Sequence, residues 1–293
     1  HYCGDGPGKR SSAQAGIETD TEKRGENGMK TELKLVYPET GKRWKRDFVS
    51  VRKLSKVFHF RDSYLNVLDN ISFEAKEGEL VCIVGRSGCG KSTLLHILAG
   101  FLAPGSGEVL LEGRPLSRPG PDRCVVFQED ALFPWLTVEE NIAFGLRQGL
   151  GGNRQNRARL DEYIEMVGLA PFRSYLPSEM SGGMKQRVAL ARVLILEPMV
   201  LLMDEPFGAL DAQSREEMQE LLLFLWSKLS HTILFITHDV KEAVLLADRI
   251  LVMGSGPGRI RREFRVDLSR PRDPESSDFI GLQGRIRQEL TDS

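Results

Sequence analysis

The sequence contains few cysteines, and those present follow no recognised binding pattern. Its 4 cysteines form neither a Cys-x-x-Cys pair nor the Cys/His spacing of a metal site: Cys3, Cys82, Cys89 and Cys124. This shortage argues against a zinc-binding module and against the disulfide framework of a small secreted domain. Cys82 lies in an apolar run and is interpreted as a small core residue. The pattern favours a reducing compartment such as the cytosol.

The sequence also lacks a long apolar run and an excess of charge of one sign. Its most apolar region, residues 188–203, is interrupted by Arg192, Glu197 and Pro198, so we predict no membrane-spanning segment. The 40 basic and 41 acidic residues leave a formal net charge of -1. Nucleic-acid-binding proteins usually carry an excess of basic residues, which this sequence does not have. We therefore expect no nucleic acid among the partners.

Composition divides the chain into three parts. Residues 1–47 are rich in Gly, Ser, Lys and Glu and lack the apolar centre of a signal peptide, so we predict a disordered extension. Residues 48–267 contain the strand and helix patterns of a folded domain, and residues 268–293 are predicted to form a C-terminal tail. The 293 residues, of which 41% are hydrophobic, suffice for one large domain or for a domain with an additional lobe.

Within the folded part, short apolar runs alternate with helical patterns. The runs of buried-strand character are residues 80–84, 124–127, 199–203, 233–237 and 250–253. This alternation predicts an α/β fold with a mostly parallel sheet and helices on both faces. The alternating segments from residue 48 onward predict an N-terminal antiparallel β subdomain. Residues 129–187 are predicted to form an inserted helical lobe, and residues 259–266 a final edge strand.

One glycine-rich segment matches the sequence of a phosphate-binding loop. Residues 85–92, Gly-Arg-Ser-Gly-Cys-Gly-Lys-Ser, fit the pattern of two glycines separated by four residues and followed by Lys and Ser or Thr. An apolar run precedes them and a helical pattern follows, which is the context that such a loop needs. The glycines let backbone N–H groups surround phosphates, and the helix adds its positive dipole end. The segment therefore predicts a P-loop NTPase core that binds ATP.

We expect this loop and the first residues of the following helix to contact the nucleotide. The candidate residues are Gly85, Arg86, Ser87, Gly88, Cys89, Gly90, Lys91, Ser92 and Thr93. Among them, Lys91 would reach the β- and γ-phosphates, and Ser92 would coordinate Mg²⁺. Thr93 would support the α-phosphate. The alternative, a chance glycine-rich turn, does not explain the strand and the helix on either side.

A second candidate element is the apolar run that ends in Asp204 and Glu205. Sheets of α/β proteins bind ligands at the C-terminal ends of their strands. A strand that ends in carboxylates is often merely solvated, but the presence of a phosphate loop favours the functional interpretation. We predict that Asp204 holds Mg²⁺ through water and that Glu205 acts as the general base for an attacking water.

From about residue 48 to residue 267 the sequence resembles the nucleotide-binding subunits of ABC transporters. Residues 180–187, Met-Ser-Gly-Gly-Met-Lys-Gln-Arg, are similar to the signature sequence of that family. A Ser-Gly-Gly turn that opens a helix is also an anion site on physical grounds, although an ordinary helix cap would explain the serine alone. The resemblance implies that Ser181, Gly182 and Gly183 contact the γ-phosphate of a nucleotide held by a second subunit.

Further residues match the family's motifs in the expected order. The resemblance implies that Gln128 links Mg²⁺ and the attacking water to the helical lobe. It also implies that His238 contacts the γ-phosphate and that Asp211 belongs to a loop that communicates across a dimer. The sequence departs from the family pattern at two positions, where Met184 replaces a common Gln and Gly208 replaces a common Ser. We expect neither departure to abolish hydrolysis.

The family typically stacks an aromatic side chain on adenine. Phe58 falls at the corresponding position, with Phe60 and Tyr64 as close alternatives. A structural role for Phe58 in the hydrophobic core remains equally open at this point.

The resemblance extends to a subgroup of importers. Met184, the segment 237–248 and the segment 257–273 are similar to the importers of nitrate, sulfonate and taurine. This implies an ATP-hydrolysing subunit that pairs head to tail with a second copy or a similar subunit, at the cytoplasmic face of the inner membrane. Integral membrane permease subunits would bind an apolar surface at residues 133–136, unless these residues are ordinary core, and a solute-binding protein would act indirectly.

Three other functions compete with this interpretation. The chain could be the ATPase of an exporter, or a soluble ABC-type ATPase of translation or DNA repair, although the second class commonly carries two nucleotide-binding units or long insertions. A nucleotide sensor without hydrolysis is disfavoured because Glu205 and His238 are both present.

Overall fold

A computed structural model describes residues 47–61, 63–128, 131–147 and 154–291. The strands, in chain order, are β1 (Asp47–Phe60), β2 (Ser63–Lys76), β3 (Leu80–Gly85), β4 (Ser106–Leu111), β5 (Arg114–Pro115), β6 (Arg123–Val126), β7 (Val200–Asp204), β8 (Thr232–Thr237), β9 (Arg249–Gly254) and β10 (Arg259–Arg265). The helices are α1 (Lys91–Ala99), α2 (Val138–Arg147), α3 (Arg154–Met166), α4 (Gly182–Leu194), α5 (Ala212–Leu229), α6 (Val240–Leu246) and α7 (Ser277–Thr291). The predicted extension over residues 1–47 lies outside the described residues, except for Asp47, which begins β1.

The first sheet is antiparallel and has the strand order β2-β1-β4-β5. In β2, Ile71, Phe73 and Ala75 are buried and the residues between them are exposed, as expected for a strand with one face on a core. Val51 of β1 pairs with Phe73 on one side and with Val109 of β4 on the other. These apolar side chains belong to one core, which confirms the predicted antiparallel subdomain.

The second sheet has the strand order β10-β9-β3-β8-β7-β6. All its pairs are parallel except that of the edge strand β10 with β9. The central strands β3 and β8 are buried along their whole length, as strands covered on both faces must be. The predicted mostly parallel sheet and its final edge strand are confirmed.

The second sheet separates two hydrophobic cores. Alternate residues of β3 point to opposite faces, so that Leu80, Cys82 and Val84 join one core while Val81 and Ile83 join the other. The first core includes side chains of α2 to α7, and the second includes α1 and the antiparallel sheet. Both faces of the sheet are therefore covered, and the C-terminal ends of its parallel strands form the edge at which α/β proteins bind ligands.

A helical lobe connects β6 to β7. It contains α2, α3 and α4, and α2 packs against α4. Within residues 131–147 and 154–199 the structure has helices and irregular segments but no strand, which confirms the inserted lobe. None of the helices in the described part of the chain combines the length and the apolar character that a bilayer crossing requires.

The C-terminal tail contains a helix that the sequence analysis did not identify. In α7, Phe279, Leu282 and Ile286 are buried at the i, i+3, i+7 spacing of an amphipathic helix. Arg272 joins this tail to the domain, because its buried guanidinium donates hydrogen bonds to the carbonyls of Val244 (2.8 Å) and of neighbouring residues at the end of α6. Burial lowers the pKa of Arg272 to about 9.

Candidate active site

The phosphate loop lies between the end of β3 at Gly85 and the start of α1 at Lys91. Gly88 and Gly90 have φ angles of 79° and 99°, in the left-handed region that favours glycine. Gly90 is the N-cap of α1, so the N–H groups of the first helical turn have no partner within the helix. The predicted loop therefore presents backbone donors at a helix N-terminus, an arrangement suited to bind phosphate.

The side chain of Lys91 is folded back over this loop. Its ammonium group donates hydrogen bonds to the carbonyl oxygens of Gly85 (2.9 Å) and Arg86 (3.2 Å). It also lies 3.8 Å from a carboxylate oxygen of Glu205. The side chain is buried, yet it meets three oxygen partners, so its charge is compensated in this conformation.

Ser92 and Asp204 meet across the gap between α1 and the end of β7. The Ser92 hydroxyl donates a hydrogen bond of 3.3 Å to Asp204. Burial raises the pKa of Asp204, and the hydrogen bond from Ser92 opposes this rise. The described residues contain no group of three or more His, Cys, Asp or Glu side chains able to hold a metal by themselves. Mg²⁺ usually takes one or two protein oxygens and substrate phosphates, so this pair of oxygen donors fits a nucleotide-borne ion.

Glu205 and His238 form a second pair at the same edge of the sheet. They follow the neighbouring parallel strands β7 and β8, and the His238 Nδ1 atom lies 2.8 Å from a Glu205 carboxylate oxygen. Glu205 has a φ of 45°, which is uncommon for a residue with a side chain. Its N–H donates to the carbonyl of Ile236 at 2.9 Å, which holds this unusual backbone in place. Strained residues of this kind cluster at active sites.

Gln128 lies next to the loop that follows Glu205. A Cβ atom added at Gly208 would be 3.3 Å from the Gln128 side-chain amide nitrogen and equally close to the Glu205 carbonyl. The structure thus brings the predicted glutamine to the segment that carries Glu205. The structure gives no explanation for glycine in place of serine at position 208, because a Cβ atom there would meet the movable end of the exposed Gln128 side chain and the Glu205 carbonyl at 3.3 Å.

The signature residues open α4. Ser181 is the helix N-cap, and its hydroxyl accepts a hydrogen bond from the Met184 N–H at 3.3 Å. Ser181 and Gly182 are exposed, so their polar groups are accessible to another molecule. The Met184 side chain packs against the core, which places an apolar residue where the family commonly has Gln.

Asp211 caps the neighbouring helix α5. Its carboxylate accepts hydrogen bonds from the N–H (2.9 Å) and the hydroxyl (2.8 Å) of Ser214, and these bonds lower its pKa. A Cβ atom added at Gly183 would lie 3.5 Å from Ser214, so the signature turn and the Asp211 loop are adjacent on one surface. The structure brings the predicted dimer residues together there.

Comparison with known proteins agrees with this geometry. Residues 68–208 match the family model described as ABC transporter. An uncharacterized ABC transporter ATP-binding protein of Methanocaldococcus jannaschii is 43% identical over 277 residues, which are 94% of this chain and 97% of the relative. The chain belongs to the ABC transporter ATP-binding family.

One named relative and one solved structure give further information on the function of this ABC subunit. The aliphatic sulfonates import ATP-binding protein of Bacillus thuringiensis is 43% identical over 242 residues, 83% of this chain and 95% of the relative. The dimeric structure of an ATP-binding cassette in a post-hydrolysis state, bound to ADP and phosphate, superposes with a TM-score of 0.65 at 32% identity and covers 74% of this chain and 98% of that cassette. The ABC subunit is therefore an ATPase.

The adenine-stacking residue of this ABC subunit stays a prediction. Phe58 is half-buried, and the Lys56 ammonium lies 5.3 Å from the centre of its ring. Within the described part of the chain, Phe58 belongs to neither hydrophobic core, which disfavours the structural alternative. Tyr64 lies on the same hairpin and is exposed, whereas the side chain of Phe60 lies outside the described residues.

The structure adds two residues to the site that sequence reasoning missed. Glu242 and Arg215 line the same cleft as Glu205 and His238. Burial raises the pKa of Glu242, while hydrogen bonds from Thr237 and Gln219 oppose the rise. Arg215 donates to the carbonyls of Phe207 (3.3 Å) and Leu210 (2.9 Å), which holds the loop after Glu205. Glu242 lies within the segment 237–248 and Arg215 lies four residues after Asp211, but neither residue type at these positions indicated a contact with the cleft.

Proposed function

We propose that this subunit hydrolyses ATP to power an importer of a small anion such as a sulfonate, nitrate or taurine, bound to the cytoplasmic face of the inner membrane. The observation that carries the proposal is the convergence of Lys91, the Ser92–Asp204 pair and the Glu205–His238 pair at one edge of the sheet. The similarity to an aliphatic sulfonate import protein supports the direction of transport and the class of substrate.

The chemistry follows from the positions of these groups. Backbone N–H groups of the phosphate loop and the Lys91 ammonium bind the β- and γ-phosphates. Glu205 accepts a proton from water as the water oxygen bonds to the γ-phosphorus, and the bond to the β-phosphate oxygen breaks to release ADP and phosphate. His238, 2.8 Å from Glu205, orients this carboxylate and contacts the γ-phosphate. Gln128, beside the loop that follows Glu205, would help to orient the water.

Ser92 and Asp204 would hold Mg²⁺, with Gln128 as a third candidate. When bound with ATP, the ion neutralises charge on the β- and γ-phosphates. The Ser92 hydroxyl suits direct coordination, while Asp204 would accept a hydrogen bond from a coordinated water. Burial raises the pKa of Asp204, which means that the charged carboxylate is disfavoured there. Binding of the metal ion would explain why a carboxylate nevertheless stands at this position.

A second subunit would complete each ATP site. Ser181 and Gly182 are exposed at the N-terminus of α4, and together with Gly183 they would bind the γ-phosphate held by the partner's phosphate loop. Asp211 lies on the same surface and would contact that partner. Because each copy gives one half-site and receives the other, ATP binding would close a head-to-tail dimer and hydrolysis would reopen it.

An aromatic surface of the helical lobe would bind the permease. Trp135 is 71% exposed, and its ring lies 5.7 Å from that of Phe133, which in turn packs against Phe144 at 4.4 Å. Asn141 holds the backbone of this segment, because its side chain accepts from the Phe133 N–H at 2.9 Å. An exposed tryptophan on an ordered segment is a typical anchor for a partner helix. The solute-binding protein would act on the ATPase only through the permease.

Transport in membrane vesicles tests the proposal. The subunit is co-expressed with permease subunits and a solute-binding protein from the same genome, and ATP-dependent uptake of a labelled alkanesulfonate, nitrate or taurine is measured. Trp135→Ala should reduce co-purification with the permease while leaving the ATPase activity of the isolated subunit unchanged. Ile280→Ala is the control, because this exposed apolar residue lies on α7, away from the lobe. Outward transport, or ATPase activity with no permease association, would contradict the importer.

A further inference from the structure

The turn between β9 and β10 is attached to the strand beside the phosphate loop. The Gly258 N–H donates to the Val67 carbonyl at 2.9 Å, and the Gly258 carbonyl accepts from the Asp69 N–H at 2.9 Å. Val67 and Asp69 belong to β2, and Val67 also lies close to the loop, since a Cβ atom added at Gly90 would be 3.1 Å from its carbonyl. The turn, β2 and the loop therefore meet at one point.

Gly258 lies directly against the phosphate loop. A Cβ atom added at Gly258 would be 2.2 Å from the carbonyl oxygen of Cys89, a separation that no side chain can adopt without movement of the backbone. The φ of Gly258 lies outside the left-handed region, so its backbone conformation does not require glycine. Glycine is required here because the Cys89 carbonyl leaves no room for a Cβ atom. A second contact is similar, because a Cβ atom added at Gly85 would be 2.8 Å from the Met253 carbonyl.

The orientation of one peptide bond links this contact to nucleotide binding. The Cys89 carbonyl oxygen faces Gly258. In a trans peptide the C=O and N–H bonds point in opposite directions, so the N–H of Gly90 points away from the turn. Gly90 is the N-cap of α1, and donors at this end of a helix bind anions.

We propose that Gly258 is a positioning residue for the phosphate loop, which holds the Cys89–Gly90 peptide with its N–H directed toward the nucleotide phosphates. The inference rests on the proposed binding of ATP by this loop. It assigns to the β9–β10 turn a function in ATP affinity, although the turn lies more than 160 residues beyond the loop in the sequence and carries no chemically reactive group.

An ion pair holds the turn on β2. The Arg259 Nε atom donates to an Asp69 carboxylate oxygen at 2.8 Å, and the backbone N–H of the same Asp69 binds Gly258. Arg259 is exposed, so its removal breaks this pair without creating a cavity. Removal of this ion pair is therefore a second way to weaken the attachment of the turn to β2. Unlike Gly258→Ala, it adds no atom next to the phosphate loop.

The first experiment measures the Kd for ATP with Mg²⁺ by equilibrium titration, together with the Tm of the nucleotide-free protein. Gly258→Ala should raise the Kd by about 10- to 100-fold, the range for loss of one hydrogen bond to a charged group. Its Tm should fall as well, because the added Cβ atom would be 2.2 Å from the Cys89 carbonyl and 2.4 Å from the Met253 methyl group. The ATPase assay should show a larger rise in KM than fall in kcat. Gly281→Ala is the control, because a Cβ atom at this glycine of α7 meets nothing within 4 Å.

The second experiment does not depend on the folding of Gly258→Ala. Arg259→Ala should raise the Kd for ATP by about 2- to 5-fold, as expected for an exposed ion pair. Arg265→Ala removes a similar exposed pair, with Asp267, from the far end of β10 and should leave the Kd unchanged. If Gly258→Ala fails to fold, these two variants test the positioning role by themselves. A higher Kd for Arg259→Ala than for Arg265→Ala would support the role, and equal Kd values would reject it.

Lys91→Ala distinguishes a failure of ATP binding by the loop from a failure of the positioning role of Gly258. If the wild-type subunit binds no ATP, or if Lys91→Ala binds as tightly as the wild type, the proposed use of the loop is wrong. If the wild type and Lys91→Ala behave as expected while Gly258→Ala matches Gly281→Ala and Arg259→Ala matches Arg265→Ala, the loop binds ATP but the positioning role of Gly258 is wrong.

Discussion

The ammonium group of Lys91 lies 3.8 Å from the carboxylate of Glu205, across the space between the phosphate loop and the end of β7. Each group therefore has a partner within the protein itself. A γ-phosphate bound in this space would give the ammonium a stronger partner and leave the carboxylate with His238 and a water molecule. The relationship joins the residue proposed to bind phosphate to the residue proposed to activate water.

Replacement of Glu205 separates binding from hydrolysis. Glu205→Gln should retain ATP binding and lower kcat by about 100- to 10,000-fold, because the amide keeps the shape of the side chain but cannot accept the proton. The variant should accumulate as an ATP-bound dimer, which size-exclusion chromatography with light scattering would detect. Unchanged turnover would contradict the assignment of Glu205 as the base.

Mixed dimers test whether the signature acts on a second subunit. Ser181→Arg should retain ATP binding and lose hydrolysis, because the large cation replaces the exposed cap at the start of α4. Lys91→Ala should also be inactive. A heterodimer of the two contains one complete site, formed by the loop of the first variant and the signature of the second. Mixing should therefore restore part of the activity, and a Ser181→Arg subunit that is fully active alone would rule out the shared site.

The partly buried carboxylate of Asp204 predicts a dependence of stability on pH. Burial raises its pKa above the ordinary 3.8, so the folded state binds the proton more tightly than the unfolded state, and the stability contribution of this group falls as the pH rises through the raised pKa. Without nucleotide, Asp204→Asn should therefore have a higher Tm than the wild type at pH 7, and the difference should shrink toward a pH of about 4.

The same variant should lose its response to the metal. ATP with Mg²⁺ should raise the Tm of Asp204→Asn less than that of the wild type, and hydrolysis should fall by at least about 100-fold. Differential scanning fluorimetry across this pH range, with and without ATP and Mg²⁺, checks both parts. A lower Tm than the wild type at neutral pH would show that the carboxylate stabilises the fold instead of costing stability.

Adjacent residues of α7 test whether the tail is part of the folded domain. Phe279 is 1% exposed and Ile280 is 54% exposed. Phe279→Ala should lower the free energy of unfolding by about 3 to 5 kcal/mol through lost apolar contacts and a cavity. Ile280→Ala should change it by less than about 0.5 kcal/mol. Urea unfolding followed by tryptophan fluorescence measures both, and equal effects would mean that α7 does not pack as described.

Most of the fold could be predicted because its central strands are continuous apolar runs. The run at residues 80–84 lies in β3, and the run at residues 233–237 lies in β8. The helix α7 was missed, because its three buried residues are spread among charged ones and were assigned to a tail by composition. Arg270 and Arg272 hold this tail on α6 and Asp248 through contacts that no local pattern encodes.

The sequence by itself determined that the chain is an ATPase, because the phosphate loop is a local motif of eight consecutive residues and because Asp204 and Glu205 end an apolar run that is equally local. It also determined the family, through motifs in a fixed order. Only the tertiary structure decided which distant residues meet: Glu205 with His238, Gln128 with Gly208, and Gly258 with the Cys89 carbonyl. Such contacts depend on the order of strands in the sheet and on the close packing of backbones, which neither composition nor spacing records.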